Sequence, residues 1–379
     1  MLNVYKSNNS CSDRRMTLTV SQDVEILWQS LLDSLLSMSG DGRSLVFIDP
    51  IVLANNPQLL EIEGTENRFL LVPTSLREAN KEIESLLAIL EVMENEGIGR
   101  RSDKIYAIGG GVLLDVVSMA CSIFRRGISV IKVPTTLLAF ADAAIGIKTG
   151  VNFLGQRNRL GTYHMGYKVL LDPYLLRTLG PGLIKQGLGE IVKIAVIKSR
   201  PLFEGLEKHQ AQLMNPTFYS SNDGMQILDH AIHLMLDELH DNPAEEQLMR
   251  SVDFGHTFSP LVEMESIRKP DYRALSHGYA VAYDCLLTSC LSNLRGLLSS
   301  NDFDRILRLY LDFDMDFANE IYRDDELLWA SLLEMKKHRG GNQNIPVPVK
   351  LGEFSFLQDV TYEQVKNANY ILQGLLRDQ

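Results

Sequence analysis

Residues 104–115 read KIYAIGGGVLLD. Lys104 to Ile108 is a short β-type run that passes straight into Gly109, Gly110 and Gly111. Val112 to Phe124 then carries apolar residues at helical spacing. Strand, glycine turn and helix together form an arrangement suited to phosphate. The glycines let the backbone approach a pyrophosphate, and the helix N-terminus offers N–H groups and the positive end of a dipole. The triplet is not a GxGxxG fingerprint, and a tight turn is the plain alternative. Two neighbours favour a dinucleotide. Asp49 ends an earlier strand, where a carboxylate can hold a ribose hydroxyl pair, and Pro134-Thr135-Thr136 ends the next strand with two hydroxyls.

Outward from this turn the pattern repeats. Ser44–Asp49, Arg68–Pro73, Val130–Val133 and Lys168–Asp172 are further β-type runs, and Glu78–Asn95 is an amphipathic helix. A helix is also expected around Val24–Met38, where apolar residues recur at mixed spacing. Strands alternating with helices imply a mostly parallel sheet covered on both faces. Near Leu179-Gly180-Pro181 the character changes, and helical periodicity dominates from Leu183–Ile197 to Glu326–Lys337. The expected organisation is a flexible N-terminus (1–15), an α/β Rossmann-like domain (16–180) and a mainly α-helical domain (181–379), with a cleft between domains as the default site.

Composition limits the function classes. The 379 residues are 45% hydrophobic and 22% charged, with a net charge of −11, the balance of a globular protein. That charge argues against nucleic-acid or anionic-membrane surfaces. No apolar run approaches the ~20 residues needed to span a bilayer, and the polar start lacks a signal-peptide core. The four cysteines form no CxxC pair, and Cys285 and Cys290 lie in an apolar helical segment. A reduced, cytoplasmic protein is expected.

The C-terminal half holds two histidines in separate motifs, His256 in DFGHTFSP and His277 in SHGYAVA, each leading into a helix. Neutral imidazole is a common ligand for a divalent metal. A third ligand is sought in Leu183–Ile197, where Glu190 and Lys193 are the central polar residues, three apart on one face. Either they form a simple ion pair, or Glu190 completes a site that leaves positions open for substrate. In the first half, residues 142–163 read DAAIGIKTGVNFLGQRNRLGTY. Asp142, Lys148, Asn152, Arg157, Asn158 and Arg159 in this glycine-rich stretch are either a solvated loop or a clamp for a polyhydroxylated anion.

Taken in order, GGGVLLD, VPTTLLA, DAAIGIKTGVN, GLGEIVKIAVI, DFGHTFSP and SHGYAVA resemble the sugar phosphate cyclases, whose best-known members are the 3-dehydroquinate synthases. The resemblance implies an NAD-dependent cyclase with a divalent metal, Zn or Co, and a homodimer. It puts Glu190, His256 and His277 on the metal. Asp49, Glu78, Lys81, Gly109, Gly110, Gly111, Asp115, Thr135, Thr136 and Thr178 fall on NAD contacts, joined by Asp142 and Lys148. Asp142, Lys148, Asn152, Arg157, Asn158, Lys193 and Arg250 fall on catalytic or substrate positions, with Arg126 and Lys337 beside them.

Departures narrow the branch. Asp253 stands where dehydroquinate synthases carry Asn, GHTFSP replaces GHTFGH, and QRNRLGTYH replaces a KNxIG pattern. These features resemble the sedoheptulose 7-phosphate cyclases. Asp253 with His338, where demethyl-4-deoxygadusol synthases tend to have Ala and Thr, is similar to the 2-epi-5-epi-valiolone synthases or the 2-epi-valiolone synthases. YHMGYK (163–168) departs from the YHPP expected of the former. The resemblance implies conversion of sedoheptulose 7-phosphate to a C7 cyclitol and phosphate, a carbon–oxygen lyase reaction. A metal-dependent polyol dehydrogenase and a dehydroquinate synthase are the alternatives, and a catalytically dead sugar-phosphate-binding homologue is a third.

Overall fold

The computed structural model describes residues 15–19, 23–36, 43–62, 69–164, 166 and 168–377. Residues 1–14 with Cys11, and Met165 and Tyr167 of YHMGYK, lie outside the described residues. Contacts divide the chain into two compact units. One runs to Leu179 and takes in Met235–Ala244, and the other comprises Gly180–Leu234 and the residues from Glu245 onward.

The first unit is built on a seven-stranded sheet. Its strands are β1 (Arg15–Thr19), β2 (Asp23–Trp28), β3 (Ser44–Ile48), β4 (Phe69–Pro73), β5 (Lys104–Gly109), β6 (Val130–Pro134) and β9 (Lys168–Leu171). Their order is β1-β2-β9-β6-β5-β3-β4. β1 is antiparallel to β2, and every other pairing is parallel. Side chains alternate across each strand. Val46, Ile48, Tyr106, Ile108, Ile131, Val133 and Leu170 therefore share one buried core with Leu31 and Leu35. Leu45, Phe47, Ile105, Ala107 and Val130 are buried on the opposite face. Burial of each large aliphatic side chain contributes about 1.5–3 kcal/mol. This explains why these strands read as continuous apolar runs.

The helix expected at Val24–Met38 is not formed. Residues Asp23–Trp28 are a strand, followed by a helix of six residues, Leu31–Leu36. Val-Glu-Ile-Leu-Trp alternates with period two, and Ile26 and Trp28 are buried, so pairing with β9 satisfies both backbone and side chains. The polar run after Asp142 also differs from a solvated loop. Strands β7 (Lys148–Phe153) and β8 (Gln156–Tyr163) form an antiparallel hairpin. Leu154 and Gly155 turn it with φ of 50° and 71°. The inner strand buries Thr149–Asn152 while the outer one is mostly exposed. A pattern this polar does not announce a strand.

In the second unit the helix Pro181–Lys198 starts with proline at its first turn, where the missing N–H costs nothing. It is buried along Gly187–Ile197, including Glu190 and Lys193. The helix His277–Leu294 is buried from Ala280 to Ser292. A hairpin of β10 (Ile345–Lys350) and β11 (Glu353–Leu357) and the helix Tyr362–Arg377, none of them read from the sequence, complete the unit.

The helices of Glu190 and His277 meet backbone to backbone. A Cβ on Gly278 would run into the Gln186 carbonyl oxygen, and one on Gly189 into the Gly278 carbonyl oxygen. Gly278→Ala must therefore separate the two helices and should lower stability by about 2 kcal/mol or more in urea unfolding. Gly205→Ala faces open space within the helix Arg200–Lys208 and should be neutral or stabilising by about 0.5–1 kcal/mol. Equal effects of the two substitutions would contradict the close crossing.

Candidate active site

The crossing at Gly189 and Gly278 sets Glu190 beside His277, with Glu190 Oε1 3.0 Å from His277 Nε2. His256 enters from the turn before the helix Ser259–Arg268, its Nε2 3.9 Å from the same oxygen. One ligand atom from each of Glu190, His256 and His277 lies within 4.8 Å of the others. Gly255 makes that turn possible. Its φ is +78°, and a Cβ there would meet Cys285 Sγ and Val281.

The other ring nitrogens fix the tautomers. His277 Nδ1 lies 3.1 Å from Glu263 Oε2, and His256 Nδ1 lies 3.3 Å from the Phe254 carbonyl oxygen. Both partners only accept, so each Nδ1 carries the proton and each Nε2 presents its lone pair to Glu190. Burial, reinforced by the Lys193 ammonium, pushes His256 well below its ordinary value and keeps the ring neutral. Burial alone would raise Glu190, but the Lys193 ammonium outweighs it and holds the carboxyl well below its usual range. Neither Glu190 oxygen has a hydrogen-bond partner, although Lys193 Nζ makes an ion pair with Oε2 at 2.6 Å. Three electron-pair donors converging in a buried pocket is the arrangement a divalent cation stabilises. Cys285 is close by, but burial, then Asp284, push its thiol far above the range where it would ionise.

Two acids missed in the sequence hold these ligands. Glu263, 1% exposed, stands on the helix that follows His256, yet it orients His277. Asp284 stands two turns after His277, yet its Oδ2 accepts from the backbone N–H groups of Phe258 and Ser259 at 2.5 and 2.9 Å. Each histidine is thus steadied by an acid from the other histidine's helix. An acid inside the apolar runs LVEM and AYDCLL was the available signal.

Around this cluster, Arg250 is bonded by Asp253 Oδ1 and paired with Glu245. Lys337 and His338 lie on the last turn of the helix Asp325–His338 and both meet Glu334, at 2.9 and 3.5 Å.

In the first unit the turn Gly109–Gly111 opens the helix Gly111–Ile123, whose N-cap Gly110 supplies no side-chain cap. A Cβ on Gly110 would fall 3.2 Å from Thr136 Cγ2, and one on Gly111 3.2 Å from the Ala143 Cβ. The turn therefore brings its backbone close to Thr136 and Ala143, where a side chain would crowd them. The buried Thr135 bonds it through Thr135 N–H to the Gly109 carbonyl at 3.0 Å, and Thr136 Oγ1 accepts from Ala139 N. Asp49 caps the helix Pro50–Asn55 through Ile51 N and pairs with Arg77 at 2.8 Å.

Residues expected at NAD and residues expected at substrate form one hydrogen-bonded chain. Glu78 Oε1 accepts from Asn152 Nδ2 at 2.9 Å, and Asn152 Oδ1 accepts from Asn158 N at 2.9 Å. Asn158 Oδ1 and Asp115 Oδ2 both accept from Lys81 Nζ, at 2.7 and 2.6 Å. Lys148 and Arg157 stand on the same hairpin, and Asp142 ends the turn before it. Thr178 and Arg126 are exposed and lie outside this chain of bonds. Lys132, not foreseen, is buried in mid-sheet and donates to the Gly146 carbonyl at 2.7 Å, bracing the turn between Asp142 and Lys148.

Family models describing the 3-dehydroquinate synthase N-terminal and C-terminal parts match residues 71–186 and 187–338. The chain belongs to the dehydroquinate synthase family. Within this family it is 37% identical to the 2-epi-5-epi-valiolone synthase of Streptomyces hygroscopicus subsp. jinggangensis (strain 5008), over 89% of this chain and 82% of that protein. It is 41% identical to the 2-epi-5-epi-valiolone synthase of Streptomyces albus, over 79% and 72%. The solved structure of ValA, the former organism's enzyme with NAD+ and Zn2+ bound, superposes with a TM-score of 0.87 at 36% identity, covering 94% of this chain and 98% of that one. Family membership and the structural match bear out the two-domain dehydroquinate synthase-like fold.

Glu263→Gln should weaken Zn2+ or Co2+ binding about tenfold without unfolding the protein, measured by competition with a chromophoric chelator. Unchanged affinity would remove Glu263 from the site. Lys132 gives a pH signature. Burial, opposed by Asp115 and Asp142, pushes its ammonium down to about 8. Above about pH 8 the unfolded chain keeps a proton that the folded chain has lost, so this group's contribution to stability rises with pH up to the ordinary lysine range. The wild type should therefore gain on Lys132→Met between about pH 8 and about pH 10 in guanidinium unfolding. A constant gap would contradict the shift.

Proposed function

We propose that this protein converts sedoheptulose 7-phosphate to 2-epi-5-epi-valiolone and inorganic phosphate, a carbon–oxygen lyase reaction. The observation that carries the reading is the convergence of Glu190, His256 and His277 three residues from Asp253, in a chain 37% identical to a 2-epi-5-epi-valiolone synthase across most of both lengths. NAD and a divalent metal, Zn or Co, fit the residues present: the Gly109–Gly111 turn suits a pyrophosphate, and the two imidazole lone pairs and the buried Glu190 carboxylate suit the cation. When bound, NAD+ supplies a hydride acceptor that is restored each turnover, and the metal supplies a Lewis acid.

The chain's own residues have separable tasks. Lys193, buried beside Glu190, puts a fixed positive charge where substrate oxygen becomes anionic. Arg250 offers a guanidinium fork to phosphate or hydroxyl oxygens. The bonds linking Glu78, Asn152, Asn158, Lys81 and Asp115 hold the hairpin that carries Lys148 and Arg157. Lys148 then serves as a second cation for the substrate, and Arg157 for its phosphate. The family resemblance supports a homodimer, and the cysteine pattern, with no CxxC pair, supports a cytoplasmic setting. Among the described residues no helix is long and apolar enough to cross a membrane.

The test is turnover of sedoheptulose 7-phosphate with NAD+ and Zn2+ or Co2+. Phosphate and cyclitol should appear one to one, with no net NADH, and the product's NMR spectrum should be that of 2-epi-5-epi-valiolone. Glu190→Gln should lower kcat roughly 100- to 1000-fold. Steady NADH accumulation from a polyol would make the protein a dehydrogenase, and a different cyclitol would move it to another branch.

A further inference from the structure

Asp253 and His338 mark the branch in the sequence, and it is His338's neighbour that reaches the Asp253 carboxylate. Arg339 follows the helix Asp325–His338 as its C-cap and is 3% exposed. Its Nε lies 3.6 Å from Asp253 Oδ2. Its Nη1 donates to Thr257 Oγ1 at 3.3 Å and to the Gln343 carbonyl at 3.1 Å. Its Nη2 donates to the His256 carbonyl oxygen at 3.5 Å. One buried guanidinium therefore touches the segment Asp253–Thr257 on both sides of His256.

The same segment is fixed from two further directions. The Asp253 carbonyl accepts from His256 N at 2.9 Å, and Asp284 grips Phe258 and Ser259 just beyond. Asp253 itself lies between two guanidiniums, Arg250 on Oδ1 and Arg339 near Oδ2. A carboxylate so placed is charge-compensated, and it aims Arg250 as much as it meets any hydroxyl. A neutral amide at 253 could not hold both cations, and an alanine could hold neither.

We propose that Arg339 is a positioning residue that locks the carboxylate at 253 and the imidazole at 256 into one rigid turn. The position that differs between branches and the metal ligand are then mechanically coupled. Substitution at 253 alters the metal ligand's placement and Arg250's aim together, so substrate choice and metal binding change as one property. The proposal rests on the cyclase reading for its consequence in product choice, while its coupling stands on the geometry alone.

The test compares Arg339→Gln, Arg339→Lys, Asp253→Asn and the double variant Arg339→Gln/Asp253→Asn. Zn2+ affinity is read by chelator competition, the Co2+ complex by its visible spectrum, and kcat, KM and product distribution by NMR and phosphate release. Arg339→Gln should weaken metal binding about tenfold, the lower end of the usual effect of removing a group behind a ligand. It should also shift the Co2+ spectrum and lower kcat more than it raises KM, and Arg339→Lys should restore part of each. The double variant should bind metal no more weakly than Arg339→Gln alone, because both substitutions break one unit. A purely structural arginine would lower the melting temperature but leave the folded fraction's metal affinity and Co2+ spectrum unchanged, which overturns the proposal. Additive losses in the double variant would overturn it as well. Should Arg339→Gln fail to fold, Thr257→Val removes one of the guanidinium's partners at nearly constant volume and should weaken metal binding severalfold, and unchanged affinity there counts against the proposal. If the wild type ignores sedoheptulose 7-phosphate while the metal coupling holds, the functional reading fails and the positioning role stands. If the wild type turns it over and the variants bind metal normally, the positioning role fails alone.

Discussion

Three electron-pair donors facing one another in a buried space repel unless a cation lies among them. The second unit is arranged to hold Glu190, His256 and His277 in that position. The helices carrying Glu190 and His277 touch through glycine backbones, which no larger residue permits. Glu263 and Asp284 then exchange support between the two histidine segments, one orienting a ring and the other anchoring a turn. Burial and the Lys193 ammonium keep His256 neutral, and Lys193 keeps Glu190 ionised, the protonation states that metal ligation requires.

The first unit solves a different problem, that of presenting many polar groups without exposing a sheet edge to disorder. The buried side chains of its sheet are mainly apolar, with Lys132 a charged one among them. The polar groups are gathered instead on the hairpin of β7 and β8 and stitched to Glu78, Lys81 and Asp115 by side-chain amides. Groups assigned separately to cofactor and to substrate thus share a single network.

Much of this was legible in the sequence. The glycine turn and the central strands are readable because each rests on local pattern, apolar runs and a glycine triplet. His256 and His277 stand out before helical segments, while Glu190 stays open between an ion pair and a metal ligand until the family resemblance places it. The strand Asp23–Trp28 reads as helix because its period-two alternation sits beside a short helical segment, and tertiary pairing with β9 decides the outcome. The hairpin was hidden by its polarity, since only its inner strand is buried. Lys132, Glu263, Asp284 and Arg339 depend on contacts between distant segments. A strand reading VIKVP says nothing of what its lysine meets, and KKHRGG gives no sign that the arginine turns inward while the histidine beside it stays half exposed.

The central claim is that a divalent ion is bound by one carboxylate and two imidazoles and by no thiol. X-ray absorption at the zinc edge of the metal-loaded protein tests it directly. The account predicts nitrogen and oxygen neighbours at about 2.0–2.1 Å, with the multiple scattering of two imidazole rings and no sulfur. A sulfur neighbour at about 2.3 Å, or a shell of oxygens without imidazole scattering, would contradict it.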